Sequence, residues 1–232
     1  MKVFVFLILF SIMVLIFLIN KEVRSSKQTK YVFWTGGYDS TYLVLKNIII
    51  DNSDVVPFYL TGNVDNIEGK KYRRRNTHKE LEAIGNVYRM LRNKFPDKYH
   101  KLGKLVQVYN TEIKLSDKVN NYMYKLYKKK KFGRPVCQYN YLSQFSLDKN
   151  IPIQLGVLGT EKFYKNNVLN KRKHEIFKYF EFPLANLSKK KLYAISKKYN
   201  FDDILRKSWS CWFPKKNGEP CKKCPMCKQR VI

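Results

Sequence analysis

A chain of 232 residues, 44% of them hydrophobic, holds one good-sized domain, or one domain with an appendage, and can bury a proper core. With 46 Lys and Arg against 18 Asp and Glu, the formal charge is +28. That field favours nucleic acid, an anionic surface or a phosphate-rich small molecule over a cationic partner.

Two segments, residues 70–79 and 125–134, each carry six basic residues and no acid. A solvated face accounts for them equally well, because heavy use of Lys, Asn, Ile, Tyr and Phe also marks AT-rich coding. Residues 3–19 are apolar apart from Ser11, about the minimum needed to span a bilayer as a helix. Lys21, Arg24, Lys27 and Lys30 follow the run, and only Lys2 precedes it. The expectation is a single-pass membrane anchor with the remainder of the chain in the cytoplasm. A cleaved signal peptide fits less well, since no small-x-small site follows and the charge lies on the wrong side.

Residues 25–30 read as a polar linker, and residues 31–34 as a first strand. A Gly-Gly turn precedes a helix over 39–50, whose apolar positions Leu43, Val44, Ile48 and Ile49 suit packing on a sheet. Strands are expected over 55–60, 104–108 and 151–157, and helices over 73–91, 116–130 and 139–149. Ser188 is a candidate N-cap for a helix over 189–199. Strands alternating with helices predict an α/β fold with a parallel sheet.

The segment Thr35-Gly36-Gly37-Tyr38-Asp39-Ser40-Thr41 joins the first strand to the first helix. Two glycines let the backbone turn sharply and approach a ligand closely. The helix behind them presents unpaired N–H groups and the positive end of its dipole, a ready anion site. Ser40 and Thr41 add hydroxyls, and Asp39 suits orienting the loop or holding Mg²⁺. An ordinary turn with Asp39 or Ser40 as N-cap is the plainer reading of such a pair. No Gly-Lys-Ser/Thr follows, so this is not a Walker loop.

Four of five cysteines fall near the end: Cys211, Cys221, Cys224 and Cys227, spaced C-x9-C-x2-C-x2-C. Cys-x-x-Cys steps bring thiolates to one ion, and a tetrahedral Zn²⁺ site follows naturally. Two disulfides, or an iron–sulfur cluster on the same thiolates, compete with it. Cys137 is left over as a small core residue.

The loop at residues 35–40 resembles the Ser-Gly-Gly-x-Asp-Ser loop of the PP-loop ATP pyrophosphatase superfamily, with Thr35 in place of Ser. With the tail Ser208-Trp209-Ser210-Cys211-Trp212 and its three later cysteines, the chain is similar to the 7-cyano-7-deazaguanine synthase family over residues 31–232. The strand ending in Gly156-Val157, the Phe182-Pro183-Leu184 segment and Ser188-Lys189-Lys190 follow in the family's order.

The resemblance implies an adenine nucleotide alpha hydrolase-like domain over 31–207 and a four-cysteine zinc tail over 208–232; the apolar run and its flanking charges add an expected membrane helix at 1–20 and a linker at 21–30. It implies an ATP-dependent ligase that adenylates the carboxylate of 7-carboxy-7-deazaguanine, so that ammonia displaces AMP and a second ATP drives formation of the nitrile. ATP with Mg²⁺ is then held by Thr35, Gly36, Gly37, Asp39, Ser40 and Thr41, with Asp39 and Ser40 catalytic. The family's Gly-Tyr-Pro-Asp-Cys-Arg segment is absent, residues 159–167 reading GTEKFYKNN, and its Gly-Arg-Asn motif reads Gly133-Arg134-Pro135. ATP chemistry therefore carries over better than the deazaguanine. Alternatives are another PP-loop enzyme that modifies tRNA, or a degenerate, membrane-tethered protein that binds ATP and zinc without turnover. Expected partners are a small-molecule substrate, nucleic acid through the basic surface, and the membrane through residues 3–19; a homodimer is open.

Overall fold

The computed structural model describes residues 29–62, 66–67, 70–71, 76–128, 138–159 and 174–228. The elements run β1 (Lys30–Phe33), α1 (Tyr38–Ile49), β2 (Val55–Thr61), a small antiparallel pair β3 (Asn66–Ile67) and β4 (Lys70–Lys71), α2 (Thr77–Lys94) and α3 (Pro96–Tyr99). They continue with β5 (Val106–Tyr109), α4 (Asp117–Lys128), α5 (Gln138–Lys149), β6 (Ile153–Leu155), β7 (Phe180–Glu181), α6 (Lys189–Lys198), α7 (Asp202–Leu205) and α8 (Pro225–Lys228).

Five strands form one sheet in the order β5-β2-β1-β6-β7, and every pairing in it is parallel. Parallel strands are stable when both faces are covered, and side chains here alternate between two cores. Val32 and Trp34 face a layer built from α1, α2, α6 and α7, where Tyr42, Leu43, Leu91, Phe201 and Leu205 are buried. Phe33 faces the opposite layer, with Phe58, Met123, Phe145 and Phe177. The Phe33, Phe58 and Phe145 rings meet there at centroid distances of 5.2–6.1 Å.

Helix ends follow local chemistry. Asn52, Asn150 and Asn200 adopt the left-handed conformation just beyond α1, α5 and α6, a residue type that tolerates it with little strain. Ser188 caps α6 as expected, its hydroxyl accepting from Lys191 N–H at 3.3 Å. The expected strands and helices exist, with shifted ends; β7, the β3–β4 pair, α3, α7 and α8 were not foreseen.

Sheet order reverses direction on either side of β1, so β1 and β6 form a topological switch point. In open α/β sheets the crevice at the carboxyl ends of such strands is where ligands bind. The loop at 35–40 leaves the carboxyl end of β1, and Gly156 follows β6 directly.

One expectation is corrected. No helix among the described residues is long and apolar enough to cross a membrane. The longest, α2, has 18 residues and carries Lys79, Glu80, Glu82, Arg89, Arg92 and Lys94. The reading of a single-pass, membrane-anchored protein is withdrawn on that finding. The run at residues 3–19 on which it rested lies outside the described residues, as do Gly133, Arg134, Cys137 and residues 160–167.

A polar chain links the sheet to α1. Asn47 Nδ2 donates to Gln154 Oε1 at 2.7 Å, and Gln154 Nε2 donates to Glu181 Oε2 at 3.1 Å. Asn47 and Gln154 are both buried. A buried amide stripped of its partner costs roughly 1–3 kcal/mol, whereas replacing both partners by apolar groups is nearly neutral. Gln154→Leu is therefore expected to lower the free energy of urea unfolding by about that much, and adding Asn47→Leu to recover most of it. A double mutant as unstable as the sum of the singles would show that the two amides do not act as a pair.

Candidate functional site

The loop's conformation is set by glycine. Gly36 has φ +69°, and a Cβ there would lie 2.6 Å from the Glu80 carbonyl oxygen of α2. Gly156 is equally constrained, since its Cβ would come within 2.7 Å of the Ser40 backbone. Side chains at either position would push β6 or α2 away from the start of α1.

Hydroxyls then fix the loop internally. Ser40 Oγ accepts from Thr35 N–H at 3.3 Å and donates to the Gly37 carbonyl at 3.2 Å. Thr35 Oγ1 lies 3.1 Å from Ser40 Oγ and accepts from Gly37 N–H at 3.3 Å. Thr41 lies beneath the loop rather than on its face. Its side chain is fully buried and its hydroxyl accepts from Trp34 Nε1 at 2.9 Å. No side-chain hydrogen bond caps α1, whose N-cap is Gly37. The first-turn N–H groups of a helix have no partner within it, so the start of α1 is an uncapped donor cluster at the positive end of a dipole.

Asp39 stands in that first turn and is largely buried. Its Oδ2 lies 3.7 Å from Lys189 Nζ, at the first residue of α6. Its Oδ1 is buried with no hydrogen-bond partner among the described residues. Burial pushes the Asp39 carboxyl up to about 6 from its ordinary 3.8, while Lys189 pulls the other way.

Beneath the loop, the buried Glu80 carboxylate accepts from Tyr59 Oη at 2.7 Å and from Asn76 Nδ2 at 2.8 Å. From the other side, the chain leading to the cysteines docks onto the loop. Trp209 N–H donates to the Gly36 carbonyl at 2.8 Å, and Trp209 Nε1 donates to the Cys211 carbonyl at 2.8 Å. Lys79 Nζ lies 5.8 Å from the centre of the Trp209 ring.

The sulfur atoms of Cys211, Cys221, Cys224 and Cys227 all lie within 4.8 Å of one another. Four thiolates at ~2.3 Å around one tetrahedral ion stand ~3.8 Å apart, and the Cys221 and Cys227 sulfurs are 3.9 Å apart. Backbone N–H groups already point at the sulfurs, Cys221 N to Cys211 Sγ at 3.2 Å, Cys224 N to Cys221 Sγ at 3.3 Å and Cys227 N to Cys224 Sγ at 3.4 Å. Backbone donors from Lys223 and Cys224 pull the Cys221 thiol down to about 6, whereas burial pushes the Cys211 and Cys227 thiols up, so the case for metal rests on the spacing of the sulfurs. The donor set therefore fits a single metal ion. An iron–sulfur cubane places each thiolate on a separate iron and spreads the sulfurs wider.

The structure thus gathers Thr35, Gly36, Gly37, Asp39 and Ser40 at the switch point and sets the four cysteines behind them through Trp209. Lys189, Glu80 and Trp209 were not singled out as site residues from the sequence. Lys189 and Trp209 sat inside quoted landmarks, but Glu80 reads as one acid among others on an amphipathic helix.

Together these features define an α/β protein with a parallel sheet and a cysteine cluster suited to metal. The family model described as queuosine biosynthesis protein QueC matches residues 160–231, which include all four clustered cysteines. Over those residues the chain is similar to that family. No curated protein matches it. Among solved structures, the U34-tRNA thiolase NcsA from Methanococcus maripaludis, with its [4Fe-4S] cluster, aligns at 12% identity with a TM-score of 0.41. That alignment covers 75% of this chain and 58% of the thiolase chain, so this chain spans less than two thirds of that protein. A superposition at that level assigns neither activity nor cofactor.

Asp39 gives a signed pH prediction. A raised carboxyl pKa means the folded state holds the proton more tightly than the unfolded one. The buried charge therefore costs nothing below about pH 3.8, and its full cost is present above about pH 6. In the absence of nucleotide and magnesium, Asp39→Asn is expected to raise unfolding free energy at pH 8 by on the order of 1–3 kcal/mol, the gain shrinking as pH falls from 6 to 4. Urea titrations at pH 4, 6 and 8 test this; a gain that does not depend on pH would refute the buried-charge account.

Proposed function

We propose that this chain binds ATP at the loop and cleaves it between the α- and β-phosphates, adenylating a carboxylate-bearing substrate of the deazapurine type. The observation that carries the proposal is the uncapped start of α1 at the sheet's switch point, wrapped by the backbone of Gly36 and Gly37. Such a donor cluster suits a pyrophosphate group. A carboxylate is a poor electrophile, and an acyl-adenylate gives it a good leaving group. The protein's contribution is position and charge.

In this reading, Gly36 and Gly37 give the triphosphate close access to the backbone, and Thr35 and Ser40 hold the loop in shape. Thr41 supports it from below. Asp39, with its unpaired Oδ1, is the residue that would hold the magnesium ion accompanying ATP. Residues 31–207 form the catalytic domain and residues 208–232 the metal-binding tail. Zn²⁺ is the ion we assign to Cys211, Cys221, Cys224 and Cys227, from the single-ion spacing of the sulfurs. It would lock the tail and, through Trp209, brace the loop. The C-N ligase type and the nitrile product belong to this proposal, on the strength of the family match over residues 160–231.

A second reading is modification of a tRNA base by the same ATP chemistry, favoured by the +28 charge. The assay that separates them measures AMP and pyrophosphate with 7-carboxy-7-deazaguanine and ammonium, or with tRNA. Nitrile formation with AMP release supports the first. AMP release with tRNA alone supports the second. No AMP with either would leave a binding protein without turnover. Asp39→Ala is expected to abolish AMP release while keeping zinc at the four cysteines; unchanged release would refute the loop assignment.

The tail has its own test. Cys224→Ser is expected to lower bound zinc by elemental analysis, to lower the melting temperature, and to weaken ATP binding through the Trp209 contact. Full zinc occupancy in that variant would sink the four-thiolate site.

A further inference from the structure

Bracing the loop uses only the backbone of Trp209. The N–H that meets the Gly36 carbonyl would be supplied there by any residue except proline. The indole is nevertheless fixed in place. Its Nε1 donates to the Cys211 carbonyl at 2.8 Å, which satisfies the one polar atom of the ring and pins its edge. The Trp209 carbonyl stands close to the loop as well, 3.8 Å from where a Cβ on Gly37 would lie.

The other two tryptophans are committed elsewhere. Trp34 is fully buried, packed near Tyr88 and donating to Thr41. Trp212 meets Phe213 edge to face in the tail. Trp209 is only partly buried, and among the described residues no aromatic ring stacks on it. What stands by its ring is the Lys79 ammonium, at 5.8 Å from the centre. The stem of Lys79 lies against the tail at Gly218, where an added Cβ would come 3.2 Å from Lys79 Cε. Its partner is Glu82 at 2.8 Å, one turn further along α2 and more than half exposed. An ion pair so open to water is worth little and exchanges readily.

A rigid, partly exposed aromatic face with an ammonium beside it suits a flat heterocycle that carries a negative group. We propose that Trp209 and Lys79 form the subsite for the acid that is adenylated. The indole stacks on the planar ring, and the Lys79 ammonium leaves Glu82 to hold the carboxylate beside the loop. The assignment rests on the reading of this chain as an enzyme that activates a deazapurine carboxylate, and it gives the second substrate to residues of α2 and the tail. Metal bound by Cys211 would fix the carbonyl that holds the ring edge, so the tail would serve recognition as well as bracing. A stack reads shape and a cation reads charge. The acid and nitrile forms of one ring should therefore meet the indole alike, while only the acid engages Lys79.

The test uses the full chain, with calorimetric binding of 7-carboxy-7-deazaguanine, 7-cyano-7-deazaguanine and inorganic pyrophosphate, and with zinc content measured on each variant. Trp209→Leu is expected to weaken both deazapurines by roughly ten- to hundred-fold, the scale of one base–aromatic stack. Trp209→Phe keeps an aromatic face and, like Trp209→Leu, lacks the Nε1 donor; it should recover most of that loss. Lys79→Met keeps the stem along Gly218 and should weaken the acid by about tenfold and the nitrile by less than about twofold. All three variants should keep zinc and bind pyrophosphate within about twofold of wild type, because the backbone N–H and the cysteines are untouched.

Equal losses in Trp209→Phe and Trp209→Leu would trace the effect to the missing Nε1 bond and overturn the stack. Wild-type affinity for the acid in Trp209→Leu would overturn it while leaving the proposed function intact. Acid and nitrile weakened equally in Lys79→Met would overturn the carboxylate contact. Wild-type protein that binds pyrophosphate but neither deazapurine would overturn the substrate reading together with the subsite.

Discussion

A backbone hydrogen bond holds the two halves of the candidate site together. The N–H of Trp209 donates to the carbonyl of Gly36, joining the chain that leads into the cysteines to the loop at the end of β1. On its other side Gly36 lies against the carbonyl of Glu80, where a Cβ would not fit. The loop is thus gripped between α2 and the tail. Gly156 closes it from the β6 side, against the backbone of Ser40. Three elements distant in sequence meet at one short segment, and each meeting depends on a missing Cβ or on a backbone donor. A metal ion held by the cysteines would stabilise the same contact, so metal affinity and loop order are linked reciprocally.

The constraint also places a cost at the site. Asp39 is carried into a largely buried position by α1, with one oxygen left without a partner among the described residues. Its carboxyl is shifted up by that burial. Perturbed groups of this kind cluster at functional sites, where stability is given up for a charge held ready. The Glu80 carboxylate beneath the loop shows the contrast. It too is buried, but it receives Tyr59 and Asn76, as a structural acid does.

Much of this was legible in the chain. Gly36-Gly37 between an aromatic, β-branched run and an amphipathic helix marked the loop. Alternating apolar stretches marked the parallel sheet, and C-x2-C-x2-C marked the thiol cluster. Each signal is local, a matter of a few residues and their spacing. Lys189 was hidden because nothing local distinguishes it from Lys190 or Lys191; only the packing of α6 against α1 singles it out. Trp209 was visible as part of a landmark, but its role belongs to a backbone N–H, which every residue except proline has. Thr41 shows the opposite error. Its sequence position suggested a ligand-facing hydroxyl, and the helical turn carries it inward to Trp34 instead. The membrane expectation rested on composition alone in a stretch outside the described residues, and no described helix supports it.

The arrangement of charge around α1 explains why such a basic chain can keep its site poised. Phosphate brought to the start of α1 meets a helix dipole, exposed backbone donors and Lys189, all of one sign, with Asp39 as the counter-charge paired to that lysine. Among the described residues, Asp39 is the counter-charge that faces the partly buried Lys189 beside the starts of α1 and α6. With it, the ligand-free state is tolerable but incompletely satisfied, as the 3.7 Å separation shows. In the proposed reading, an incoming polyphosphate would supply negative charge, and a cation travelling with it would meet the spare oxygen of Asp39. In that reading, the two residues that make the site costly when alone suit a ligand that carries both signs.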